Sequence, residues 1–213
     1  MQNQDRTQPI RILTVDDHPA LREGISAMIG PEEDMVVVGE ASNGFEAVDT
    51  YLSLRPDITL MDLQMPAMGG IEAIRAIRGQ ARSARIVVLT TYDGDIQAVE
   101  ALKAGASGYL LKSSLRRELL ETIRIVHAGG RRIPAEIAQE IAFHAGDEPL
   151  SPREVEILKL VAQGHANKEI AWRLSLSEDT IKGHMKSIFG KLDVSDRTQA
   201  VTTSLKRGVL TLE

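Results

Sequence analysis

From Ile10 to His127, short apolar runs alternate with amphipathic stretches in a regular order. Ile10–Val15 reads as a buried strand, and Leu21–Ile29 as a helix with Pro19 near its first turn. Met35–Ala41 predicts a second strand, Phe45–Leu54 a helix, Asp57–Met61 a third strand and Ile71–Ile77 another helix. Arg85–Thr90 and Gly108–Leu111 predict strands four and five, with helices over Ile96–Ala104 and Leu115–His127. Such strict alternation gives an α/β domain on a doubly wound, five-stranded parallel sheet. Ile86-Val87-Val88-Leu89 is apolar at every position, as expected when helices cover both faces.

Ala128-Gly129-Gly130-Arg131-Arg132 breaks this pattern. The boundaries that follow are a disordered polar tail at 1–9, a sheet domain at 10–128, a partly helical linker at 129–147 and a helical domain at 148–213. Pro134–His144 predicts a short helix in the linker, and Ala145-Gly146-Asp147 an exposed joint.

Beyond the joint every signal is helical. Ser151-Pro152-Arg153-Glu154 is a capping box with proline at the first helical position; Val155, Leu158, Val161 and Ala162 form one apolar face, and Gly164 is the stop. Asn167 caps a second helix whose Ile170, Ala171 and Leu174 face inward, while Trp172 reads as semi-buried packing. Ser177, Glu178 and Asp179 suit the start of a third helix; Ser195 and Asp196 open a fourth, which Gly208 ends. On a helical wheel the third helix places Ile181, Met185, Ile188, Phe189 and Leu192 on one arc, with Lys182, Gly183, Lys186, Ser187 and Gly190 opposite. This all-α, four-helix unit has helix-turn-helix organisation.

Composition narrows the chemistry. The chain of 213 residues has no cysteine, which excludes disulfides, thiolate metal sites and a cysteine nucleophile. No run approaches the roughly 18 apolar residues of a membrane span, and MQNQDRTQP lacks the features of a signal peptide. A cytoplasmic protein with no membrane partner is expected. The net charge of −5 hides a split: residues 1–147 carry 15 basic and 21 acidic groups, residues 148–213 carry 10 and 9. The two parts are expected to meet different partners.

In a parallel sheet, chemistry gathers beyond the carboxyl ends of the strands. Asp16 and Asp17 follow the first predicted strand and Asp62 the third, with Thr90 and Lys112 at the ends of the fourth and fifth. Three converging carboxylates need a compensating cation, and an oxygen-rich set selects a hard ion, Mg²⁺ first. The ion would let a phosphoryl group approach a carboxylate nucleophile, with Thr90 and Lys112 each taking a phosphoryl oxygen. A carboxyl phosphate formed there acts as a switch rather than a turnover engine.

Val15-Asp16-Asp17-His18, Met61-Asp62-Leu63-Gln64-Met65-Pro66, Leu89-Thr90-Thr91 and Gly108-Tyr109-Leu110-Leu111-Lys112 together resemble the receiver domain of bacterial response regulators, a flavodoxin-like fold. The resemblance implies that Asp62 is the phosphoacceptor, and that Asp17, Asp62 and the Gln64 backbone carbonyl bind Mg²⁺ with support from Asp16. It implies Thr90 as the switch hydroxyl, Lys112 as the phosphate-pairing lysine and Tyr109 as the aromatic that turns inward with Thr90. Gln64 and Tyr92 fall where the family tunes phosphoryl lifetime, and Ser113 stands where many receivers carry proline.

Leu150-Ser151-Pro152-Arg153-Glu154, Gly164–Ala171, Ser177–Lys182 and Lys191–Arg197 resemble the LuxR-type DNA-binding domain. By that resemblance Glu178–Leu192 is the recognition helix, the helix near Asp196–Arg207 forms dimers, and Lys182 and Lys186 contact double-stranded promoter DNA. Gly183 stands where the family often has valine, so readout shifts toward Lys182, His184 or Ser187, with Lys168 near a phosphate. The combined layout resembles NarL/FixJ response regulators. It implies a regulator, not an enzyme beyond self-phosphorylation from small donors and autodephosphorylation. It further implies that a sensor histidine kinase phosphorylates Asp62 and that a homodimer forms on phosphorylation or on DNA. Two alternatives stand beside it: a regulator that binds DNA without phosphorylation, and an aspartyl-phosphate phosphohydrolase, which Gln64 in place of a second acid disfavours.

Overall fold

The computed structural model describes residues 8–91, 95–143 and 148–210. Tyr92, the tail at 1–7 and the joint at 145–147 lie outside them.

The first unit is a five-stranded, all-parallel sheet of β1 (Ile10–Val15), β2 (Met35–Ala41), β3 (Ile58–Asp62), β4 (Ile86–Thr90) and β5 (Gly108–Leu111). Their order is β2-β1-β3-β4-β5. α1 (Pro19–Ile29), α2 (Gly44–Leu54), α3 (Gly70–Gln80), α4 (Asp95–Ala104) and α5 (Leu115–His127) connect and follow them. β3 and β4 are buried at every residue, as the uninterrupted apolar run required. Ile12, Ile58, Leu60, Val87, Leu89 and Leu110 pack on one sheet face with Ile25 and Ile29 of α1 and Leu115, Leu119 and Ile123 of α5.

Strand order explains why the carboxylates meet. The chain reverses direction of travel across the sheet between β1 and β3, which lie side by side at its centre. The loops leaving their carboxyl ends therefore open a crevice between them. After α5 the chain returns to the sheet edge: Tyr109 donates its backbone N–H to the Arg132 carbonyl at 2.8 Å. That pairing beside Gly108 keeps the first residues beyond Gly129–Gly130 on the sheet. α6 (Ala135–Phe143) then occupies the predicted linker helix.

The second unit holds α7 (Pro152–Ala162), α8 (Asn167–Arg173), α9 (Glu178–Leu192) and α10 (Arg197–Lys206). Its core joins Ile157, Leu158 and Val161 to Ile170, Ile181, Met185, Ile188, Leu192 and Ala200. Trp172 corrects the semi-buried expectation, being 82% exposed. It lies on the side of α8 opposite the inward stripe Ile170, Ala171 and Leu174, so no core neighbour can cover it.

Gly70 marks the tightest approach near the crevice. A Cβ there would sit 2.0 Å from the Asp62 carbonyl oxygen, so the first turn of α3 can lie against β3 only without a side chain. Gly70→Ala is expected to destabilise the protein by about 1–3 kcal/mol in urea unfolding, through overpacking against backbone.

Candidate functional site

The site begins with strand ends. Asp16 extends β1, Asp62 closes β3, and Lys112 opens a single 3-10 turn, Lys112–Ser114, directly after β5. Lys112 Nζ lies 2.7 Å from Asp16 Oδ2 and 2.8 Å from Asp62 Oδ2, bridging two buried carboxylates separated by 46 positions in sequence. Asp17 is half-buried beside them, and the Gln64 backbone N–H donates to Asp62 Oδ1 at 3.3 Å. Thr90 is buried at the end of β4 and Tyr109 is fully buried in β5. Register places Tyr109 beside Val88, so Tyr109 and Thr90 share one sheet face.

Two participants were missed in the sequence. His18 donates its backbone N–H to Asp16 Oδ1 at 2.8 Å, and its Nδ1 lies 2.8 Å from Asp17 Oδ1 and 3.2 Å from Asp16 Oδ1. Its place directly after the two acids was the available signal. Arg22, one turn into α1, donates to the Asp16 carbonyl at 2.7 Å and to Glu40 Oε2 at 2.9 Å. It ties the end of β1 to β2. Helical spacing alone gives no sign of either contact.

Ligand atoms of Asp16, Asp17, His18 and Asp62 all lie within 4.8 Å of one another. Burial pushes the Asp62 carboxyl above its usual range; Lys112 opposes that rise and the neighbouring Asp16 adds to it. Burial also works against the Lys112 ammonium, but its bonds to Asp16 and Asp62 hold its pKa above the usual value. One ammonium against three carboxylates leaves excess negative charge. Asp17 Oδ1 is buried without an aligned hydrogen bond, an acceptor a hard cation would satisfy. The donor set therefore fits a divalent ion.

The helical unit has a different organisation. Ser151 and Glu154 form the predicted capping box, but Glu154 reaches further. Its buried carboxylate accepts from Ser187 Oγ at 2.7 Å, from Lys191 Nζ at 3.0 Å and from the Ser151 backbone N–H at 2.7 Å. Burial alone would raise its pKa; these donors win and hold it at about 2. The N-terminus of α7 is thus fastened to one flank of α9. Ser187, expected on the open face, turns its hydroxyl to that fastening.

Lys168, Lys182, Gly183 and Lys186 are exposed, whereas His184 is half-buried. Lys182 lies 3.3 Å from Glu178 Oε1 and 3.2 Å from Asp179 Oδ1 on its own helix. No helix among the described residues is long and apolar enough to cross a membrane.

Comparison with known proteins gives both halves a counterpart. Residues 12–124 match the response regulator receiver domain, and residues 148–204 match the bacterial regulatory proteins of the luxR family. The transcriptional regulatory protein LiaR of Bacillus subtilis is 41% identical over 199 residues, covering 90% of this chain and 94% of LiaR. The nitrate/nitrite response regulator protein NarL of Escherichia coli K12 is 41% identical over 209 residues, covering 94% of this chain and 95% of NarL. Among solved structures, RcsB from Salmonella enterica serovar Typhimurium, bound to a promoter in the presence of the phosphomimetic BeF₃⁻, aligns with a TM-score of 0.71 at 28% identity. That alignment covers 92% of this chain and 98% of RcsB.

Two pH-dependent outcomes follow from the buried carboxylates. The Asp62 pKa is raised in the folded state, so ionising it costs stability as pH rises through the folded value. Asp62→Asn should therefore melt at a higher temperature than the parent at neutral pH, and the gain should vanish below about pH 4. Glu154 has the opposite sign. Its stabilisation is full above the ordinary value of 4.5 and is lost as pH falls toward about 2. Glu154→Gln should cost on the order of 3 kcal/mol in urea unfolding at pH 7, and progressively less as pH falls through that window.

Proposed function

The chain belongs to the response regulators that join a receiver domain to a LuxR-family DNA-binding domain, and we propose that phosphorylation of Asp62 controls its binding to promoter DNA. The observation that carries this reading is the Lys112 bridge between Asp16 and Asp62, in a chain that also carries a DNA-binding unit. The donor is the phosphohistidine of a sensor histidine kinase, and the protein works in the cytoplasm. It is a regulator, and phosphoryl transfer to itself is its own chemistry.

Asp62 supplies the nucleophilic oxygen. An acyl P–O bond forms to it while the donor's P–N bond breaks, and the leaving imidazole takes up a proton from solvent. Asp17, Asp62 and the Gln64 carbonyl would hold Mg²⁺, with Asp16 in support; bound there, the ion offsets the negative charge of carboxylates and phosphoryl oxygens. Lys112 exchanges its bond to Asp62 for one to a phosphoryl oxygen, and the Thr90 hydroxyl donates to another. Tyr109 shares Thr90's sheet face and follows its movement. The resulting shift toward an active population favours a homodimer on DNA.

In that dimer α9 enters the major groove. Lys168, Lys182 and Lys186 meet DNA along its exposed side, with Gly183 allowing close approach and His184 and Ser187 at its margin. The small charge of the helical unit makes a single copy a weak binder, so dimerisation decides occupancy.

Incubation with acetyl phosphate and Mg²⁺ should add one phosphoryl group to the parent by intact mass and shift it from monomer toward dimer. Asp62→Ala should show neither change. Lys112→Ala should accept the group but lose the shift. A parent that gains no mass, or gains it equally in Asp62→Ala, rules out Asp62 as the acceptor.

A further inference from the structure

A groove of about 320 Å³ runs along one flank of α9. Lys182, Met185, Lys186 and Phe189 form one wall, following each other at helical spacing, and Asn167 and Arg197 form the other. Asn167 and Arg197 are the first residues of α8 and α10. Arg197 joins these two helix starts, donating one guanidinium nitrogen to Asn167 Oδ1 at 3.1 Å and the other to the His165 carbonyl. Those bonds use two of the five N–H groups of a guanidinium. The floor is apolar, with Met185 buried and Phe189 half-buried. Among the described residues the lining carries three cations and no carboxylate; Glu178 and Asp179 approach Lys182 from its own helix.

An α-helix with its side chains is about 10–12 Å across and the major groove about 12 Å wide. A helix lying in that groove must therefore turn its flanks toward phosphates. One flank of α9 is already tied to α7, through Ser187 and Lys191 bound to Glu154. The other is this cationic groove.

We propose that the groove seats the sugar–phosphate backbone of the DNA strand beside α9, with Arg197 as a phosphate ligand alongside Lys182 and Lys186. The inference rests on the DNA-binding reading above and extends it to a residue assigned only to a dimer helix by sequence. Met185 and Phe189 offer the apolar surface against which a deoxyribose packs. The contact reads no base, so its contribution is the same on every sequence.

The test is anisotropy of random-sequence duplex DNA titrated with the full chain across a salt series, after acetyl phosphate treatment. Arg197→Gln should lower affinity about tenfold and reduce the slope of log K against log salt by about 0.9, while Arg197→Lys retains the parental slope. Asn167→Asp guards against a folding defect, because a carboxylate can still accept from Arg197 and suits the start of a helix. It too should lower both affinity and slope, with an unchanged melting temperature.

A parental slope in both Arg197→Gln and Asn167→Asp overturns the proposal. Tighter DNA binding by Arg197→Gln also overturns it. A parent that binds no duplex at low salt overturns the DNA-binding reading itself, and this assignment with it.

Discussion

The ammonium of Lys112, lying 2.7 Å from Asp16 and 2.8 Å from Asp62, is the interaction on which the receiver unit depends. It exists because parallel strands deliver their carboxyl ends to one rim, and because β1 and β3 are neighbours although α1, β2 and α2 separate them in the chain. Two buried carboxylates side by side repel each other, and one cation between them makes the arrangement tenable. The same bridge holds the end of β5 toward the centre of the sheet. Any change of charge on Asp62 must therefore be felt at Lys112. Lys112 directly follows β5, whose Tyr109 backbone also holds Arg132 at the exit from the domain.

The helical unit has its own buried carboxylate, with the opposite consequence. Glu154 is surrounded by donors and is stabilised as an anion, whereas Asp62 is raised by burial and by a second acid. A fully satisfied carboxylate is a fastening: it fixes α9 against α7 through Ser187 and Lys191. A frustrated one is a point where added charge or a cation changes the structure. The chain thus places rigidity where a helix must hold one orientation and sensitivity at the carboxylate proposed to accept a phosphoryl group.

Much of this was legible in the sequence, because it followed from local rules. The strands declared themselves by uninterrupted apolar runs, and β3 and β4 are indeed buried throughout. Ser151 and Glu154 announced the start of α7 through reciprocal capping. Asp16, Asp17, Asp62 and Lys112 could be brought together without coordinates, because strand ends of a parallel sheet share an edge. What stayed hidden depends on long-range approach. Nothing in the spacing says that Arg22 reaches the Asp16 carbonyl, that the Ser187 hydroxyl reaches Glu154, or that Arg197 closes a groove with Asn167. Trp172 is exposed rather than semi-buried, and its phase on α8 already opposes the inward stripe.

In the proposed mechanism the charge on Asp62 sets the affinity for DNA. Its most direct measurement is the dissociation constant of the full chain for duplex DNA, taken in one preparation before and after phosphoryl transfer, at fixed salt. Binding should tighten after transfer, revert as the acyl phosphate hydrolyses, and stay unchanged in a chain whose residue 62 cannot be phosphorylated. Equal affinity before and after stoichiometric transfer would contradict it.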